Sequence, residues 1–122
     1  MRFTEDSAPG VNLIRAYAAG ELRVNDQRIR GGVILSASTI VLEPALKSVA
    51  DLTQEHAARV FALEPELVLL GTGERQTFPP AAFGAQFLRQ GIGFEVMNTG
   101  AACRTFNVLV AEQRRVVAIL LA

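Results

Sequence analysis

Cysteine and histidine occur once each in the 122 residues, as Cys103 and His56. A single cysteine excludes an intrachain disulfide. One of each leaves too few ligands for an all-protein Cys/His zinc centre, so no metal is expected. An excess of charge is also missing: twelve Lys+Arg stand against twelve Asp+Glu. A net charge of zero argues against non-specific binding to nucleic acid or to an anionic membrane surface, since both need a positive excess. Long hydrophobic runs are absent. The longest, Val116–Ala122, has seven residues, whereas a membrane-spanning helix needs about twenty. The opening MRFTEDSAPG follows Arg2 with Glu5 and Asp6 and has no apolar core. It does not read as a secretory signal, nor as an Arg-rich, acid-poor mitochondrial presequence. These absences lead to the expectation of a soluble cytoplasmic chain with no membrane insertion. The lone cysteine fits a reducing compartment.

Half of the residues are hydrophobic and a fifth are charged, which is the composition of a globular chain. The length suits one domain, residues 1–122, with no room for a second core. Gly and Pro punctuation divides the chain into a β-rich first part and an alternating α/β second part.

Asn12–Ala18 and Glu21–Val24 read as a hairpin around Gly20. Asn25-Asp26 is a turn and Gln27–Arg30 a third strand, broken or bulged at Gly31-Gly32. Val33–Ser36 and Thr39–Leu42 are further extended runs. Arginines at 15, 23, 28 and 30 fall among apolar residues, so one face of this first sheet is expected to be wet. Asp51 or Thr53 could cap a helix with the apolar stripe Ala57, Val60, Phe61 and Ala62, ended by Pro65. Glu66–Leu70 then runs apolar without alternation, the pattern of a strand buried on both faces. Pro79-Pro80 opens a helix over Ala81–Gln90, closed by Gly91. Phe94–Met97 is a strand. Asn98 or Thr99 caps a helix reaching about Gln113, with Ala102, Phe106, Leu109 and Val110 inward. Arg114-Arg115 suit the negative end of its dipole, and Val116–Ala122 is a last buried strand. Helices covering a sheet follow from this order.

Three features could carry chemistry. Gly71-Thr72-Gly73 lies at the C-terminal end of a buried strand, the edge where open α/β sheets bind ligands. It is neither GxGxxG nor a phosphate loop, so no nucleotide cofactor is indicated. The helix start Asn98-Thr99-Gly100-Ala101 carries no acid in its first turn and would accept an anion, although plain capping explains it as well. Cys103, near that N-terminus and beside Arg104, could have a lowered pKa and act as a nucleophile. It could equally pack as a small hydrophobe between Ala102 and Phe106. Arg104 and Asn107 share a helix face. They could bind a carboxylate or a partner backbone, or Arg104 could pair with Glu95 or Glu112 while Asn107 holds a loop. His56 reads as a surface or internally satisfied side chain, and Glu64 and Glu66 as a solvated loop. The ligand or partner pocket, if one exists, is thus expected from Gly71, Thr72, Gly73, Thr99, Cys103, Arg104 and Asn107, with Cys103 the one catalytic candidate.

Met97, Thr99, Ala102, Cys103, Thr105, Phe106, Asn107 and Leu109, preceded by ELVLLGTG, resemble the Mth938-like family, also called DUF498. In that family a strand and GTG-type turn precede an M-x-T-x-x-A-C-x-T-[YF]-N-x-L helix start. Glu112 with its basic pair, and Tyr17, Gly20, Ile29 and Gly32 near the start, extend the likeness over nearly the whole chain. The resemblance implies a three-layer α/β fold. Its central mixed sheet has about five strands, the last antiparallel to the others, with helices on one side and a helix plus a small antiparallel sheet on the other. It also implies an accessory role, since some eukaryotic relatives assemble respiratory complex I. Two functions follow as expectations. One is a non-enzymatic interaction protein with a protein partner, exposing apolar positions such as Phe3, Phe78 or Phe83, and small enough to pair as a homodimer. The other is a small-ligand protein or enzyme using the strand-end pocket.

Overall fold

The computed structural model describes residues 10–122. Phe3 therefore lies outside the described residues. Strands β1 (Ile14–Ala18), β2 (Glu21–Val24) and β3 (Gln27–Arg30) form an antiparallel sheet in sequence order. Asn25 turns between β2 and β3 with φ 55°, a backbone that asparagine tolerates. Strands β4 (Gly32–Ser36), β5 (Ile40–Glu43), β6 (Leu67–Thr72), β7 (Gly93–Met97) and β8 (Val116–Leu121) form the second sheet, in the order β5-β4-β8-β6-β7. The helices are α1 (Gln54–Ala62), α2 (Ala81–Leu88) and α3 (Thr99–Ala111).

The two crossovers explain the layering. The chain moves outward from β6 to β7 through α2, then returns past β6 to β8 through α3. Connections of one hand that travel in opposite directions put their helices on opposite faces. Accordingly Val68, Leu70, Val117, Ile119 and Leu121 pack with α1 and α2. Their neighbours Leu69, Val116, Ala118 and Leu120 pack with α3 and the small sheet. Every residue of β8 is buried, as expected of an unalternating apolar run with a layer on each side.

The direction of β8 differs from what the resemblance implied. It runs parallel to β6 and antiparallel only to β4. Helix α3 carries the chain back to the end where β6 begins, and the short 112–115 turn starts β8 there. Glu66 fixes that start: its carboxylate accepts from Arg114 Nε at 3.0 Å and from the Arg115 N–H at 2.9 Å. These donors hold its carboxyl below the usual carboxylate range, the Arg115 N–H contributing most. Glu66 is thus a clamp and not a solvated loop residue, and Arg114 serves this clamp instead of the helix dipole.

The helix N-termini show two kinds of cap. Asp51 belongs to a 3-10 turn, Val49–Asp51, where it accepts from the Lys47 and Ser48 N–H groups. Thr53 is the N-cap of α1, and its N–H donates to His56 Nδ1 at 2.9 Å. That bond leaves the proton of a neutral ring on Nε2, 3.7 Å from Glu43 on β5. Glu43 also takes Arg59 at 2.8 Å. His56 is therefore an internally satisfied side chain that ties α1 to a strand.

Candidate functional site

The strand-end pocket is expected where the connections of β6 and β7 leave for opposite faces, the usual crevice of open α/β sheets. Here several of the expected residues are bonded to other parts of the chain. Gly71 and Thr72 are still within β6. A Cβ on Gly71 would sit 3.0 Å from Ala102 Cβ and 3.1 Å from Thr99 Cα, so glycine is what lets α3 lie directly on the strand. Gly73 makes the turn with φ 90°. Its N–H donates to Thr99 Oγ1 at 2.7 Å, and its carbonyl accepts the Thr99 N–H at 2.8 Å. The Thr99 hydroxyl donates to the Leu121 carbonyl at 2.5 Å. Thr99 is fully buried and joins β6, α3 and β8. Thr72 Oγ1 meanwhile donates to the Arg75 carbonyl and accepts the Thr77 N–H at 2.9 Å, closing its own loop.

The cap of α3 is Asn98, whose side chain accepts the Ala101 N–H at 2.8 Å. Thr99, the alternative cap, is spent on the strands instead. The Thr99, Ala101 and Ala102 N–H groups at the start of α3 thus find acceptors inside the chain.

Cys103 does not match the expectation of an activated thiol. It is fully buried, and burial pushes its pKa up to about 12. The Arg104 guanidinium pulls in the other direction and does not offset it. His56 belongs to α1, on the opposite face of the sheet, and supplies no base. Iodoacetamide should leave folded Cys103 unmodified between pH 7 and 9, and label it rapidly in denaturant. Fast native labelling with an apparent pKa below about 8.5 would contradict this. The raised pKa means that the fold favours the thiol. That contribution to stability is complete below the unfolded pKa of about 8.5 and declines as pH rises toward 12.

Asn107 reaches a different partner from any carboxylate. Its Oδ1 accepts the Ile14 N–H at 2.9 Å and its Nδ2 donates to the Ile14 carbonyl at 2.8 Å. The amide therefore mimics one step of a neighbouring strand and fastens β1 to α3. Of the two readings of Asn107, the one in which it holds another segment of the chain agrees with this contact. Asn107→Leu should cost about 1–3 kcal/mol in urea unfolding, since both backbone groups of Ile14 lose their partner. Asn107→Gln should not restore the loss, because the longer arm displaces both bonds. Arg104 is exposed, and its guanidinium lies beside Gly100.

Of the apolar positions considered for an interface, Phe78 is 70% exposed, while Phe83 is buried against Phe87 and Phe94. A cleft of about 270 Å³ lies elsewhere, between the start of α1 and α2, lined by Leu52, Thr53, Pro80, Phe83 and Gln86 among others. Among the described residues, no titratable group lines it.

The family model for "Protein of unknown function (DUF498/DUF598)" matches residues 14–121. The chain belongs to this family. A protein of Francisella tularensis described as "13 kDa major membrane protein" is 28% identical, with 99% of each chain covered. The bovine NADH dehydrogenase [ubiquinone] 1 alpha subcomplex assembly factor 3 is 34% identical over 88% of this chain. The chain spans 59% of that bovine protein. The solution structure of a Mth938-like domain from Bordetella pertussis has a TM-score of 0.81 and 29% identity, covering 99% of this chain and 92% of that one. The family's M-x-T-x-x-A-C-x-T-[YF]-N-x-L segment is, in this member, a set of packing and tethering residues: Thr99, Cys103 and Asn107 each serve the fold. No helix among the described residues is long and apolar enough to cross a membrane.

Proposed function

We propose that the chain is a non-catalytic accessory protein that acts by binding another protein. The observation that carries this reading is the strand-end crevice, where Gly73, Thr99 and Leu121 bond to one another and the neighbouring thiol is buried with a raised pKa. Of the residues expected to line a reactive pocket, Gly73, Thr99 and Asn107 are hydrogen-bonded within the fold and Cys103 is buried in it. Likeness to the bovine assembly factor supports a role beside a multisubunit complex, respiratory assemblies being the first to examine. A cytoplasmic location is part of the proposal. Cell fractionation checks it, and recovery only with membranes would contradict it.

The test of the accessory reading is a quantitative pull-down from native-host lysate at physiological salt, with in-cell crosslinking to retain weak partners. Saturable enrichment of one defined complex is expected. Its absence under both conditions would overturn the proposal. Arg104→Glu, exposed and outside the hydrogen-bonded crevice, asks whether α3 is part of the contact.

A further inference from the structure

The outer face of the small sheet holds an arrangement that the fold does not need. Leu22, Val24 and Ile29 point into the core, so alternation turns Glu21, Arg23, Arg28 and Arg30 outward. The register sets Arg23 directly opposite Arg28 and Glu21 opposite Arg30. The second pair is complementary, at 3.5 Å. The first sets like charges against each other, which destabilises a sheet. Its compensation is slight. Arg23 has fully exposed Asp26 at 3.8 Å, and among the described residues Arg28 makes no ion pair. On the neighbouring strand the register places Ala16 beside Arg23 and Ala18 beside Glu21. These short side chains leave a trough of about 170 Å³, flanked by Arg23, Arg28 and Tyr17.

We propose that this face is a docking surface for an acidic segment of a partner protein, with one carboxylate held jointly by Arg23 and Arg28 above Ala16 and Ala18. The inference rests on the accessory reading and names the face that serves it. Two guanidiniums facing each other supply the planar donor forks that a carboxylate accepts in pairs. The trough is smaller than the roughly 300–1,000 Å³ of small-molecule sites, and suits a single anchoring side chain. Glu21, paired with Arg30, also lines the trough, and Asp26 stands beside Arg23. They would repel a repeating phosphate backbone but leave room for a peptide with one acid between neutral or basic neighbours. Zero net charge points the same way.

The test uses the full chain, nitrogen-15 labelled, titrated with the end-capped peptide Ala-Lys-Glu-Gly-Ala, with its glutamine counterpart Ala-Lys-Gln-Gly-Ala and the oligonucleotide dT6 as comparators. Saturable amide shifts confined to residues 16–30 are expected for the glutamate peptide only. Arg23→Gln/Arg28→Gln should weaken binding at least about tenfold without lowering the melting temperature, because it also relieves the like-charge pair. Shifts centred elsewhere, equal binding of dT6, or unchanged affinity in the double variant would overturn the proposal. The same double variant belongs in the pull-down. Loss of a partner that the wild type captures supports this face. Equal capture by both overturns the face and leaves the accessory reading standing, whereas no saturable capture by wild type overturns the reading beneath it.

Discussion

Thr99→Val should lower the unfolding free energy by about 2–4 kcal/mol, although it swaps one methyl-sized group for another. The side chain keeps its shape and loses only the hydroxyl. That hydroxyl accepts from Gly73 and donates to Leu121 in a fully buried position. Removing it leaves one N–H and one C=O without partners, and each orphan costs about 1–3 kcal/mol. Thr99→Ser retains the hydroxyl and should lose only about 1 kcal/mol, the value of one buried methyl. Urea unfolding of the three proteins measures the series. Equal stability of the valine and serine variants would show that the hydroxyl does not seal the strand end.

Phe87→Ala should be at least as damaging, at about 3–5 kcal/mol. Phe87 is fully buried on α2, stacked on Phe94 with ring centroids 5.7 Å apart and 4.7 Å from Phe61. It therefore joins α1, α2 and β7 in one aromatic cluster. The cluster is tight enough to dictate a glycine: a Cβ on Gly84 would sit 2.5 Å from the Phe94 ring. Loss of the ring opens a cavity that three elements would have to close together, and backbone contacts limit how far they can move. Phe87→Leu keeps most of the volume and should recover more than half of the loss. Thermal unfolding compares the three, and a Phe87→Ala melting temperature within a degree or two of wild type would contradict the packing described.

The strands and helices were legible because their apolar spacing is a local property. ELVLL announces a strand buried on both faces, and Ala102, Phe106 and Val110 mark the inner stripe of α3. Periodicity says that a face is buried, but not what covers it. It therefore left the direction of β8 open, and the resemblance supplied the wrong one. The accessory reading named Phe83 for an interface, whereas α2 turns that ring toward Phe87 and Phe94. The functional candidates diverged for a related reason. Thr99, Cys103 and Asn107 stand near a helix N-terminus in sequence, where ligand chemistry and fold chemistry use the same residue types. What separates the two is the identity of distant partners. Leu121 lies 22 residues from Thr99, and Ile14 lies 93 from Asn107. No spacing rule reaches either. The arginines at 23 and 28 were read as a wet face, and only the strand register showed that they oppose each other.

Native-state amide exchange at Gly73 tests most directly whether the strand end belongs to the core. Protection close to that of the global unfolding reaction is expected in the wild type, because this N–H is bonded to a buried hydroxyl, and a loss of that protection in Thr99→Val. Exchange in the wild type at the rate of an open loop would contradict the account, and would return the crevice to consideration as a ligand site.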